Sequence, residues 1–302
     1  MKIPPDLKKN DLIAIVGPSG YMDIKKTKDA VLTFQDWGYT VVVDDATVGF
    51  DSNTYFAGTD AARAASLQAA LDDPAVKAIL CARGGYGMSR IIDCLDFKKF
   101  KKRPKWIIGY SDITLLHLHL QSRVKIASLH APMAAAFMKG EDTGYLTYLQ
   151  MALKGRLTNY TFEPALANIP GNAKGQLIGG NLCLLAHSIG SASEPNIKGA
   201  ILFIEDVGEY FYAIDRYLWQ LKRAGWFDKI GGLLVGDFSS TKDTARPFGK
   251  TIEELIMDVV PEGLPVAFNI PVGHQSENVT FKCGVMHELS IRKSKVRLKQ
   301  LK

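Results

Sequence analysis

Three residue types that lie far apart along this chain could together perform acyl transfer: a serine at a strand-to-helix turn, a histidine on a polar loop and a glutamate at a strand end. The serine is Ser111 in KWIIGYSDITLLHLHL (105 to 120), where an apolar strand runs into Gly109-Tyr110-Ser111-Asp112 and then directly into a helix. A strand, a sharp turn and a helix make a nucleophile elbow, which lifts the serine Oγ clear of its neighbours and aims backbone N–H groups at a developing oxyanion. Ile113 stands where the G-x-S-x-G form has its second glycine, so the context carries this reading and the motif does not. The competing reading makes Ser111 a helix cap.

A serine hydroxyl is a weak nucleophile until a base takes its proton. Of the six histidines, His117 and His119 lie on the helix after Ser111, His130 follows a strand, His187 sits in an apolar helical run and His287 is near the terminal strands. His274 differs, because NIPVGHQSEN takes a short strand into Gly273 and a polar loop, from which a side chain can project into a cleft. A carboxylate should then hold the imidazole in one tautomer. GAILFIEDVGEY ends an apolar strand at Glu205-Asp206, and Glu205 is the choice, with Asp206, Glu209 and Asp237 as competitors.

Two glycine clusters could assist. In CARGGYGMSR, Gly84-Gly85 would place backbone amides against an oxyanion or carboxylate while Arg83 supplies charge. Neither this loop nor VGPSG (16 to 20) has the spacing of a dinucleotide or phosphate loop, so a plain turn is the reading for Gly17 to Gly20. Gly179-Gly180-Asn181 reads as a packing turn.

Such side chains need a rigid scaffold. LIAIVG (12 to 17), the helical KDAVLTFQDWG (28 to 38) and YTVVVDD (39 to 45) open the chain as a βαβ unit. A helix over 59 to 72, a strand at 76 to 82, a helix over 89 to 95, a strand at 105 to 110, a helix over 112 to 121 and a short strand at 126 to 128 follow. Apolar strands alternating with helices predict an α/β fold with a mainly parallel sheet flanked by helices. Residues 155–174 are rich in turn formers and read as a linker between an α/β domain (1–154), which carries the serine, and a smaller β-rich domain (175–302), which carries the acid and the histidine.

The composition is that of an ordinary globular protein: 47% hydrophobic and 23% charged residues exclude disordered, collagenous and coiled-coil classes. The net charge of +6 suggests nucleic acid until it is located, since Arg292, Lys293, Lys295, Arg297, Lys299 and Lys302 fall in the last twelve residues and leave the preceding 290 formally neutral. This segment reads as a charged edge strand, with polyanion binding as the alternative. Cys81, Cys94, Cys183 and Cys283 form no CxxC pair, so free buried thiols are expected, without a metal site or a disulfide framework. The opening apolar run is too short for a secretory signal, and no stretch reaches the ~20 apolar residues of a membrane helix. A cytoplasmic protein without nucleic-acid or membrane partners is expected.

Taken in order, IAIVGPSG, ARGGYG, IIGYSDIT, IGGNL, FIED, IDRYLWQL and NIPVGHQSEN span nearly the whole chain, and together this series resembles the LD-carboxypeptidases, or muramoyltetrapeptide carboxypeptidases. The resemblance implies a serine of the N-terminal domain served by an acid and a histidine of the C-terminal domain: Ser111, Glu205 and His274. It further implies oxyanion donors from the backbone of Asp112 and the Gly84-Gly85 turn, a muropeptide or small peptide substrate, no cofactor, and a homodimer. The same family contains microcin C immunity-type hydrolases of acyl-sulfamoyl adenylates. A non-catalytic two-domain ligand-binding protein, with Ser111 as a cap, is the alternative from another class.

Overall fold

The computed structural model describes residues 1–49, 53–137 and 144–301. Strands β1 (Leu12–Val16), β2 (Thr40–Val43), β3 (Val76–Cys81), β4 (Trp106–Gly109) and β5 (Ser128–His130) form a parallel sheet in the order β2-β1-β3-β4-β5. Helices α1 (Lys28–Asp36), α2 (Asp60–Asp72), α3 (Met88–Ile91), α4 (Lys98–Lys102), α5 (Thr114–His119) and α6 (Gly144–Leu153) accompany it. Alternate strand residues point to opposite faces, and both faces are covered. Ile13, Ile15, Leu80 and Ile108 pack with Phe34 of α1 and Leu149 of α6, while Val16, Ile79 and Ile107 pack with Leu67 of α2 and Leu116 of α5. This two-sided burial is why the strands read as unbroken apolar runs.

The second sheet uses β6 (Asn159–Phe162), β7 (Gly171–Asn181), β8 (Ile201–Val207), β9 (Gly232–Ser239), β10 (Val266–Ala267), β12 (Met286–Arg292) and β13 (Lys295–Gln300), in the order β10-β9-β8-β7-β12-β13-β6. Strands β7 to β10 run parallel, and β12, β13 and β6 join antiparallel. One face packs Leu202, Ile204, Leu233 and Val235 against α7 (Leu182–Ser188), α8 (Phe211–Arg223) and α9 (Ile252–Met257). The intervening strand β11 (Phe281–Cys283) leaves this sheet and pairs antiparallel with β5 of the first. Its Phe281 ring meets Phe203 of β8 edge-on at 5.2 Å, so the two sheets share a hydrophobic seam.

The α/β architecture with a strand-rich C-terminal half is the expected one. Several local expectations differ. Residues 155–174, read as a linker, contain β6 and the first residues of β7. Because β6 pairs with β13, the closing basic strand is not at an edge as expected but second from it, with Val296 and Leu298 fully buried beneath its charged outer residues. The short strand expected at 126–128 lies at Ser128–His130, and the helix expected over 112–121 is α5 between a 3₁₀ turn (Ser111–Ile113) and a π turn (Leu120–Val124). All four cysteines are free. Cys81 and Cys283 are buried, whereas Cys183 is half-buried and Cys94 exposed. No helix among the described residues is long and apolar enough to cross a membrane.

Where β7 ends, its backbone passes directly over the start of α5. A Cβ on Gly180, whose φ is +138°, would come within 2.3 Å of Thr114 Oγ1, and Asn181 N donates to the same hydroxyl at 3.0 Å. Gly179-Gly180-Asn181, expected to be a packing turn, is instead the end of strand β7, paired with β8, and the expected packing role is the close approach to Thr114. Gly180→Ala combines overpacking with backbone strain and should lower stability by about 2 to 4 kcal/mol, read as a depressed Tm in thermal melts.

Candidate functional site

In open parallel sheets, ligands bind outside the carboxyl ends of the strands, where strand order reverses. Here β2 and β3 lie on opposite sides of β1, and the loops that leave β3 and β4 line a cleft of about 590 Å³. The opposite wall comes from the carboxyl ends of β7 and β8, so both sheets present the same end to one space.

Ser111 follows β4 after a single extended residue, Tyr110, and has φ +61°. Left-handed backbone at a non-glycine residue is uncommon and strained, and it is what an elbow imposes on a serine that must stand clear of strand and helix. Neither the 3₁₀ turn that Ser111 opens nor α5 after it has a side-chain cap, and the Ser111 hydroxyl makes no hydrogen bond among the described residues. The Gly84 backbone lies directly against it: a Cβ there would be 3.2 Å from Ser111 Oγ and 3.0 Å from Ser111 Cβ. Glycine at 84 thus lets a backbone turn approach the hydroxyl closely.

His274 occupies the loop after β10 and lines the same cleft. Its Nδ1 donates to Glu205 Oε2 at 2.7 Å, which leaves Nε2 as the basic nitrogen. Glu205 is fully buried at a register shift between β8 and β9, and such bulges re-aim side chains beside active sites. Burial alone would lower the His274 pKa, but the Glu205 hydrogen bond and charge, with smaller contributions from Asp206 and Asp237, raise it above its ordinary value. The Tyr110 ring lies 4.9 Å from the imidazole, centroid to centroid, and burial and the Glu205 charge push its phenol up to about 12. Tyr110 is therefore a neutral wall beside the imidazole.

The loop that carries His274 is held from both sides. Gln275 Nε2 donates to Asp237 Oδ1 at 2.5 Å, and Gly273 N donates to Asn278 Oδ1 at 3.2 Å. Of the competing acids, Asp237 thus braces the loop, while Asp206 and Glu209 line the cleft. Of the remaining histidines, His187 lines the cleft from α7, His130 is fully buried on β5, and the other three hold internal hydrogen bonds. His117 is buried, held near pKa 4 by burial, and bonds through Nε2 to Gly109 O at 2.9 Å beneath the elbow. His119 bonds Ser193 Oγ at 3.0 Å, and His287 bonds Val285 O at 3.0 Å.

Two supports of the site were not singled out in the sequence. The Asp112 carboxylate, 1% exposed, accepts Ser19 Oγ at 2.6 Å and Met88 N at 2.8 Å, so it ties the elbow to the 17–20 loop and to α3. Burial raises its pKa against the pull of those bonds. Arg63, fully buried on α2, donates to Pro18 O at 2.5 Å and Gly87 O at 3.0 Å, and also binds Asp60. It clamps the 17–20 loop to the turn that contains Gly84. A signal was present: Arg63 shares the buried stripe of α2 with Leu67, Ala70 and Leu71, where a charge needs partners. Arg83, by contrast, is exposed at the cleft rim and donates to Tyr21 O at 2.7 Å. Among the described residues, no group of three or more His, Cys, Asp or Glu side chains is arranged to hold a metal ion.

Known proteins share this arrangement of sequence and fold. Residues 13–131 match the family profile described as LD-carboxypeptidase N-terminal domain, and residues 174–289 match the LD-carboxypeptidase C-terminal domain. A Bacillus subtilis protein named "Probable murein peptide carboxypeptidase" is 35% identical over 93% of this chain and 89% of its own length. The murein tetrapeptide carboxypeptidase of Pseudomonas aeruginosa is 30% identical over 76% of this chain and 78% of its own. The crystal structure of muramoyltetrapeptide carboxypeptidase from Oxalobacter formigenes superposes with a TM-score of 0.87 at 29% identity, covering 96% of this chain and 99% of that one. The microcin C7 self immunity protein MccF, solved in complex with aspartyl sulfamoyl adenosine, shares the fold with a TM-score of 0.85 at 21% identity over 99% of this chain and 98% of its own. With both domain profiles matched in order and relatives aligned along nearly its whole length, this chain belongs to the LD-carboxypeptidase family of serine peptidases.

Proposed function

We propose that Ser111, His274 and Glu205 form a catalytic triad that removes the C-terminal D-alanine from murein tetrapeptides, cutting the bond between an L-configured centre of diaminopimelate or lysine and that residue. The observation that carries this reading is the 2.7 Å bond from His274 Nδ1 to a fully buried carboxylate, on the wall that faces a serine held at φ +61°. His274 Nε2 takes the Ser111 proton as Oγ attacks the carbonyl carbon. The oxyanion that forms is met by backbone N–H groups of Asp112 and of the Gly84-Gly85 turn. The tetrahedral species then breaks its C–N bond, His274 protonates the departing amine, and D-alanine leaves an acyl-serine. Water attacks this ester, His274 takes and returns one more proton, and the tripeptide acid is released with Ser111 restored. Arg83, at the cleft rim, pairs in this reading with the carboxylate of the leaving D-alanine. A cytoplasmic role in trimming peptides recovered from wall turnover belongs to this reading.

The likeness to the immunity protein extends to fold, and the acidic side chains of Asp206 and Glu209 in the cleft would repel an aspartyl group of the kind in that complex. Incubation with a diaminopimelate-containing tetrapeptide, followed by mass spectrometry, tests the assignment. The expected product is lighter by one alanyl residue, with free D-alanine in the supernatant. An unchanged tetrapeptide beside a cleaved aminoacyl-sulfamoyl adenylate would overturn it.

A further inference from the structure

The two walls of the cleft differ in charge: beside Arg83 the first-sheet wall holds only the buried Asp112 carboxylate, bound by Ser19 and Met88, while the second-sheet wall carries two acids beside His187 and His274. Arg83 stands on the wall built by the first sheet, and Asp206 and Glu209 stand on the wall built by the second. Asp206 is 2% exposed and accepts Asn181 Nδ2 at 2.7 Å, Val207 N at 2.9 Å and Cys183 N at 3.0 Å. Three fixed donors hold this carboxylate facing the cleft, where Asn181 and Cys183 are its neighbours on the wall. Glu209 is half-buried on the loop between β8 and α8 and makes no salt bridge among the described residues. Burial and, after it, the adjacent Glu205 charge push the Asp206 pKa up to about 7 against the pull of its three donors. A cation supplied by the ligand beside these carboxylates would favour their charged forms.

We infer that Asp206 and Glu209 recognise an ammonium group on the residue whose carbonyl Ser111 attacks, and so set the enzyme's preference for a cationic side chain at that position. The inference rests on the reading above: with the leaving carboxylate directed to Arg83, the acyl-side residue faces the second-sheet wall. Glu209, free of an ion pair and nearer the opening, makes the direct contact. Asp206 lies deeper and adds field along the same direction. A lysine- or diaminopimelate-type side chain satisfies both carboxylates, a neutral chain of equal length leaves them unpaired, and an acidic chain is repelled.

The test compares tetrapeptides that differ only in their third residue, lysine, norleucine or glutamate, by steady-state release of D-alanine. The wild-type kcat/KM should favour lysine over norleucine by about 10- to 100-fold, chiefly through KM, as expected for a charge-assisted contact made equally in ground and transition states. Glu209→Gln and Asp206→Asn should each shrink this ratio several-fold, and Glu209→Lys should invert the order of the lysine and glutamate peptides. Thermal melts of each variant identify any that fails to fold, and the wild-type ratio stands independently of them. Equal kcat/KM for the lysine and norleucine peptides in the wild type would overturn the inference, as would an unchanged ratio in well-folded Glu209→Gln. Release of D-alanine from none of the peptides, with Ser111 still labelled by a fluorophosphonate probe, would instead overturn the carboxypeptidase assignment.

Discussion

Ser111→Ala should abolish turnover of the tetrapeptide while leaving the fold intact, with kcat falling by about 10⁵- to 10⁶-fold, the scale seen when a nucleophile that works as a unit with its base is deleted. No acyl-serine can form without the hydroxyl, and the remaining groups offer only oxyanion stabilisation to direct attack by water. Stability should change little or rise slightly, because the Ser111 side chain caps nothing. The strain at φ +61° is a property of the backbone turn and persists in the alanine variant. Loss of fluorophosphonate labelling with an unaltered melting curve is the measurement that checks this. A variant that retained more than a trace of wild-type activity would refute the assignment of Ser111 as nucleophile and return it to the status of a turn residue.

The second large effect concerns the residue behind the base. Glu205→Gln keeps the shape of the side chain but removes its charge, and it presents either an amide N–H or a neutral carbonyl to His274 Nδ1. With the wrong tautomer favoured and the imidazolium unsupported, kcat should fall by about 10³- to 10⁴-fold with little change in KM. The pH profile distinguishes this from simple loss of packing. Burial lowers the His274 pKa and Glu205 more than reverses that, so the wild-type value lies above the ordinary histidine value. Catalysis needs the neutral imidazole, and the wild-type kcat/KM should therefore decline as pH falls through that raised pKa. With Glu205 neutral, burial acts almost unopposed, and the acid limb of the residual activity should move to lower pH. An acid limb that stayed in place would show that Glu205 does not control the charge of His274.

How much of this was legible in advance differs between the parts of the site. The elbow could be read because it is local: apolar KWIIG, a tight turn and an apolar helix lie within sixteen residues, and each step has its own sequence signal. His274 could be narrowed by context, since a glycine and a polar loop mark a place where a side chain leaves a strand. Glu205 could not be separated from Asp206 by local reasoning. The register shift that turns Glu205 toward the imidazole and Asp206 toward the cleft arises from the pairing of β8 with β9, which is tertiary. The same limit hid β6, because NYTF has the alternation of a strand but sits among turn formers, and it pairs with a strand more than 130 residues away. The braces made by Asp112 and Arg63 went unnoticed for a related reason, since each joins segments brought together only by the completed sheet.

The placement of Phe281–Cys283 beside β5 bears on how this polypeptide can be divided. A fragment that stopped anywhere before residue 281 would leave the outer backbone N–H and C=O groups of Ser128–His130 without their native partner, directly beside fully buried Leu129. Such a bare rim invites association with other chains. The two halves are thus laced together through one three-residue stitch, and the gap holding Ser111 and His274 keeps its width by virtue of main-chain bonds and not by side-chain contact alone. Cutting the coding sequence between the two matched regions would sever that lacing, so the N-terminal piece would lack the strand that completes its sheet.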